Sequence, residues 1–259
     1  MSIDLTITDL VAEIVLNAPE RLNAITESDL IDLGLALSEA QEARVGAVLF
    51  RGEGRSFCAG RDISNLSPAT DDATMYLANR VAPLLRQIAN FPAPTFAAAT
   101  GACLGVGLGL LIACDVVYVA DTARIGSPFA NLGATLDSGG HSLFFERLGA
   151  HRTLDLIYTA EMMSGTEAVA AGLFSRVVPE AELLSFTRER VVRVSTGAIE
   201  AFRASKALVQ ELRDERIGLW VSMEHESVAQ GLLCKSDNYH EGFAAFQQKR
   251  KPVFTRADS

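Results

Sequence analysis

Between Phe96 and Cys114 the chain carries no charged side chain. A run of that length is enough to cross a bilayer, for which about 20 apolar residues suffice. Its content argues for a different use. Four glycines and Thr100 interrupt it, Pro92 and Pro94 precede it, and no aromatic or basic flank anchors either end. It reads as a strand, a glycine loop and a helix, all buried in a folded core. With 259 residues, 49% apolar and 21% charged, the chain suits one large domain, or one core with a small appendage.

The flanking segments support this. Residues 3–16 alternate apolar and polar around Thr8-Asp9, as a β-hairpin does. Thr26 and Asp29 form a capping-box-like start to a helix with Leu30, Leu33 and Leu37 on one face. Ala47–Phe50 is a short buried strand closed by Gly52 and Gly54, and residues 53–62 form a loop. Leu77, Val81, Leu84, Leu85 and Ile88 give a helix over roughly 72–90. Further strands are predicted at Thr95–Ala99, Val116–Val119 and just before Gly126. Beyond about residue 137 the pattern is helical except at Phe174–Val178. There Val209, Leu212, Ile217 and Leu219 form an apolar face that packs on the core or on another subunit. Strands alternating with helices imply a mainly parallel sheet covered by helices.

The formal charge is −9 and the pI about 5.0, which argues against a nucleic-acid binder. An anionic small ligand is still compatible, held by backbone N–H groups. Cys58, Cys103, Cys114 and Cys234 have neither a C-x-x-C pair nor zinc spacing and read as reduced thiols. No H-E-x-x-H and no G-x-S-x-G occurs, and Glu224-His225-Glu226 reads as an exposed helix face. Neither a metal nor a prosthetic group is expected. No basic-then-apolar leader is visible, so a cytoplasmic protein away from membranes is expected.

Four stretches could carry chemistry: Pro19–Ala24, Phe57–Ile63, Gly101–Gly107 and Leu132–Gly140. Each alone could be a structural turn. The third could pass for a dinucleotide fingerprint, with Asp115 or Asp121 as ribose partner, but its glycines are too evenly spaced.

Together, in this order, they resemble the enoyl-CoA hydratase/isomerase (crotonase) superfamily. The tail from Asp237 to Gly242, with Ala245-Phe246, Lys249-Arg250 and Pro252, resembles that family too. The resemblance implies an α/β fold with a crotonase-like spiral core of parallel strands and helices over 1–195. A helical C-terminal region over 196–259 would serve oligomerisation and cover the ligand. It also implies homotrimers or dimers of trimers, and an acyl-CoA thioester as substrate, coenzyme A being part of the substrate rather than a cofactor. The thioester oxygen would sit in an oxyanion hole made by the N–H groups of Arg61 and Val106, with Leu104 and Gly105 beside it. Coenzyme A would lie along Ala24, Ala59, Asp62, Ile63 and Ser64, covered by Phe246 and Lys249. Asp62 could equally cap a turn, and Lys249-Arg250-Lys251 could be a solvated basic end. Phe129, Leu132 and Phe144 would line the acyl pocket.

The chain departs from the hydratases of that family. Their two glutamates, which activate water and protonate carbon, correspond to Gly109 and Phe129. Neither residue can move a proton, so ordinary hydration is not expected. Asp137 remains. Its place before Ser138-Gly139-Gly140 suits a helix N-cap. Leu132 to Gly140 also resembles the segment bearing the catalytic aspartate in the ring-1,2-epoxyphenylacetyl-CoA isomerases of phenylacetate catabolism. One base can take a proton from C2 and return it at C4. The 4-chlorobenzoyl-CoA dehalogenases share the aspartate as a nucleophile, but they use a tryptophan at Phe129 and a histidine at Arg86. His141, four residues past Asp137, could relay protons along the same helix. Isomerase, nucleophilic hydrolase or dehalogenase, and non-catalytic acyl-CoA binder are the three functions to separate.

Overall fold

The computed structural model describes residues 2–67 and 69–255. Strands β1 (Ile3–Thr8) and β2 (Val11–Leu16) form the expected antiparallel hairpin, with Asp9 in left-handed backbone (φ 53°) at its turn. Helix α1 (Glu27–Glu42) starts in a true capping box: Thr26 Oγ1 accepts from the Asp29 amide and the Asp29 carboxylate accepts from the Thr26 amide. Next come β3 (Ala47–Gly52), α2 (Ala73–Tyr76), a π turn over Leu77–Val81, and α3 (Ala82–Ala89). The single helix expected over 72–90 is thus interrupted by a π turn, a feature frequent at functional sites.

The uncharged run becomes β4 (Thr95–Ala99), β5 (Ala102–Leu104) and α4 (Val106–Ala113). Every residue of β4 is buried, as is nearly all of α4, which explains why neither can hold a charge. Strands β6 (Val116–Ala120), β7 (Arg124–Gly126), β8 (Met162–Ser164) and β9 (Arg176–Val178) complete the strands. One six-stranded sheet has the order β1-β2-β3-β4-β6-β9, parallel from β2 onward. A second sheet has the order β5-β7-β8. Sequence patterning missed β5 and β8, which are too short to show a period and are ordered by pairing with β7.

Helices α5 (Gly140–Thr159), α6 (Gly165–Ala170), α7 (Glu180–Ser195), α8 (Ile199–Asp214), α9 (Leu219–Leu233) and α10 (Asp237–Gln247) follow. Helix α7 packs across β3, β4 and β6, where Phe186 meets Tyr118 edge-on at 5.3 Å. Helix α8 is tied to the core by polar bonds instead. Arg203 Nε donates to Pro92 O at 2.7 Å, Gln210 Nε2 to Ala89 O at 2.7 Å, and Lys206 Nζ to Asp115 at 2.9 Å. Of the predicted apolar face, Val209 and Leu212 of α8 are exposed, Ile217 in the connection is half-buried, and Leu219 opens α9 exposed, as is Trp220 beside it, at 73%. Glu224 and Glu226 are exposed as expected, and His225 between them, its side chain 43% exposed, pairs through Nδ1 with Glu211 of α8 at 2.7 Å. Among the described residues no helix is long and apolar enough to cross a membrane.

Candidate active site

Three separate segments are laced together beside the start of α4. Residues 58–62 run between residues 22–25 and β5. On one side the Ala59 amide donates to Leu22 O (3.0 Å), Ile25 to Gly60 O (2.7 Å) and Asp62 to Ile25 O (2.8 Å). On the other, Cys58 donates to Ala102 O (2.9 Å) and Leu104 to Cys58 O (3.0 Å). Gly60, at φ 103°, turns the chain between the two partners. The Gly60 carbonyl and Asp62 amide face Ile25, so the Arg61 N–H between them points away from it. That N–H has no acceptor among the described residues.

The Val106 N–H likewise has no acceptor among the described residues. Val106 is the first residue of α4, where no carbonyl lies one turn earlier to receive it. Glycine lets the segments that carry the two amides pack closely. A Cβ on Gly60 would stand 3.1 Å from Leu104 O, and one on Gly107 would stand 2.4 Å from Cys58 O. An unbonded amide at a helix start beside an unbonded loop amide is an arrangement that can hold a negatively charged oxygen. Cys58 beside it is no nucleophile: burial pushes its thiol up to about 12.

Asp137 lies half-buried in the same region. It is not the N-cap its position suggested. Gly139, at φ 90°, caps α5 without a side-chain bond, and it is the Asp137 carbonyl that accepts from Gly140, at 2.9 Å. Among the described residues the carboxylate accepts only from Ser138 Oγ, at 2.8 Å. Burial raises its pKa above the ordinary aspartate value, while Ser138, His141 and Arg61 pull it back in part. The reason the Asp137–Ser138 turn can enter is Gly109: a Cβ there would meet Ser138 Cβ at 2.6 Å and Ser138 O at 3.0 Å. The turn fills the space a side chain at 109 would need. His141 is exposed, and its Nε2 lies 3.5 Å from Thr135 Oγ1, so its hydrogen-bond partner is Thr135 rather than Asp137.

The other expected residues divide. Phe129 seats its ring tip on Gly105, where a Cβ would stand 2.8 Å from Cζ. Ala24, Ala59 and Leu104 are half-buried members of the laced segments. Asp62 does hold a turn, accepting from the Ser64 amide (3.0 Å) and hydroxyl (2.6 Å), and leaves Ile63 and Ser64 exposed beside it. Leu132 is 62% exposed and buried Phe144 belongs to the core. Phe246, 83% exposed, borders a separate cavity of about 440 Å³ with Tyr239, Phe243 and Phe254, and Lys249 is exposed beyond it.

Two residues of the site were not visible in the sequence. Asp71 accepts both guanidinium arms of Arg61, at 3.0 and 2.8 Å, and Tyr76 lies under that guanidinium with 3.8 Å from carbon to ring centroid. Both lie in a polar stretch without periodicity. Only the fold shows that they meet Arg61.

The family model described as enoyl-CoA hydratase/isomerase matches residues 6–257. A probable enoyl-CoA hydratase of Mycobacterium tuberculosis is 32% identical, covering 93% of this chain and 93% of its own. An enoyl-CoA isomerase/hydratase of Mycosarcoma maydis is 31% identical, covering 95% of this chain and 92% of its own. The crystal structure of an enoyl-CoA hydratase subunit from Geobacillus kaustophilus superposes with a TM-score of 0.89 at 31% identity, over 98% of both chains. A match over nearly the whole length, in sequence and in fold, places the chain in the enoyl-CoA hydratase/isomerase family.

Proposed function

We propose that this protein isomerises an acyl-CoA, shifting a double bond or opening a ring epoxide, with Asp137 as the only proton carrier. The observation that carries this is the exchange at Gly109. Where a side chain would project from α4, the Asp137–Ser138 turn is packed instead, beside two unpartnered amides. Removing a proton next to a thioester drives negative charge onto its oxygen. The Arg61 and Val106 amides are preset to receive that charge. A carboxylate raised by burial is the stronger base for C2, and the same group returns the proton at C4. Hydration needs a second proton-moving group, and Phe129 offers none. The exposed apolar face of α9, with Trp220, Met223, Val228 and Leu232, is where the subunits of a trimer would meet and where Phe246 and Lys249 would reach a neighbour's ligand.

The relatives carry hydratase names, so the product decides. A trans-3-enoyl-CoA incubated with the enzyme and analysed by chromatography with mass detection should give the 2-enoyl isomer at unchanged mass. A product heavier by one water would establish hydration instead. A covalent acyl adduct on Asp137 in the intact-protein mass would establish nucleophilic chemistry.

A further inference from the structure

Asp137 and Gly140 close a tight turn, in which the Asp137 carbonyl accepts from the Gly140 amide at 2.9 Å. Both residues between them are in left-handed backbone, Ser138 at φ 53° and Gly139 at φ 90°. That is the pattern of a type I′ turn, whose first central place favours Asn, Asp or Gly. Glycine takes a positive φ without steric cost, whereas serine, with its Cβ, is strained there. The turn is closed in on two sides. A Cβ on Gly109 would stand 2.6 Å from Ser138 Cβ, and one on Gly140 would stand 2.6 Å from Leu136 Cδ1. Gly109 is three residues along α4 from Val106, so the turn abuts the helix that carries one of the unbonded amides. The turn itself would be served better by glycine at 138. What serine adds is a hydroxyl, and its Oγ donates to Asp137 Oδ1 at 2.8 Å.

We propose that Ser138 is a positioning residue for the proton transfer: its hydroxyl holds Asp137 Oδ1, so that Oδ2 is presented to the substrate carbon. This rests on the reading above that Asp137 is the base. Among the described residues no other hydrogen bond reaches the carboxylate. Without it the side chain is free to rotate, and a small misplacement of a reacting group can cost about 10²-fold in rate. The bond has an opposing effect as well. Burial raises the Asp137 pKa, and a hydrogen bond donated to the charged form lowers it in part. Direction outweighs basicity here, because only a fraction of any gain in base strength is returned as rate. The strained backbone at 138 is therefore kept for what its side chain does to Asp137.

Ser138→Gly separates function from folding, because strain and hydroxyl leave together. On a trans-3-enoyl-CoA its kcat should fall about 10- to 100-fold, the effect of one lost hydrogen bond to a charged group. KM should stay within about twofold of the parent, and the melting temperature should be unchanged or raised. The acid limb of kcat/KM should move to higher pH, since the bond that lowers the carboxyl pKa is gone. Arg61 from the loop, His141 from α5 and Tyr76 from α2 are the other titratable groups that act on this carboxylate, and the variant leaves all three in place. Ser138→Ala keeps the strained backbone and loses the hydroxyl, so it should be as slow as Ser138→Gly and melt below it. Added to Asp137→Asn, Ser138→Gly should cost nothing further, because it acts through the carboxylate. Parent turnover in Ser138→Gly overturns the proposal and leaves the functional reading standing, as does a full second loss on top of Asp137→Asn. A loss seen only in Ser138→Ala, in step with its lower melting temperature, assigns Ser138 to the turn and also overturns it. A parent that does not isomerise the 3-enoyl-CoA overturns the functional reading, and this proposal with it.

Discussion

Asp137→Asn is expected to lower turnover on a 3-enoyl-CoA by about 10²–10⁴, or roughly 3–5 kcal/mol of barrier, while acyl-CoA binding stays close to that of the parent. Asparagine keeps the shape and can still accept from Ser138 Oγ, but it cannot take a proton from carbon. The fold should not suffer, because the Asp137 side chain makes no capping bond to α5. The sign of the pH effect follows from burial. The folded-state pKa is raised, so the native state holds the proton more tightly than the unfolded chain does. Stability then falls as pH rises from the ordinary aspartate value through the raised one. At neutral pH the variant should therefore melt at the same temperature as the parent or above it. That difference should vanish below about pH 4, where the carboxyl is protonated in both states. The parent's kcat/KM should fall on acidification through the same raised pKa. Full turnover by Asp137→Asn would mean the proton is carried elsewhere.

The second large effect is expected from Gly107→Ala. The added methyl would meet the Cys58 carbonyl oxygen at 2.4 Å and Cys58 Cβ at 2.7 Å. These are backbone and near-backbone atoms that cannot swing aside. Overpacking of this kind costs about 1–3 kcal/mol, to be read as a lower midpoint in urea. The relief available is to push the first turn of α4 away from residues 58–60, which separates the Val106 amide from the Arg61 amide. Losing one oxyanion donor typically costs about 10²–10³ in rate. The variant should therefore be slow even where it is fully folded by circular dichroism. Normal rates in a destabilised variant would show that the spacing of these two amides does not govern catalysis.

Much of this was legible in the chain before folding was considered. Pro19–Ala24, Phe57–Ile63 and Gly101–Gly107 are held together by local backbone chemistry. A glycine that must sit at φ 103°, or within 2.4 Å of a carbonyl, leaves a mark that sequence motifs record. The amphipathic elements were equally plain, because burial on one face imposes a period. What escaped was of two kinds. Strands β5 and β8 have three residues each and owe their order to neighbours rather than to their own pattern. The Arg61–Asp71–Tyr76 cluster joins residues of a polar, aperiodic stretch, and its contacts are purely tertiary. The N-cap expectation for Asp137 failed for a third reason. Gly139 in left-handed backbone delays the helix until Gly140, which frees the carboxylate from the helix end.

The most direct measurement is a crystal structure with a saturated acyl-CoA bound. The thioester oxygen should lie about 2.7–3.1 Å from both the Arg61 and the Val106 nitrogen, with C2 facing the Asp137 carboxylate. A thioester oxygen bound elsewhere, or an acyl chain running away from Asp137, would contradict the account.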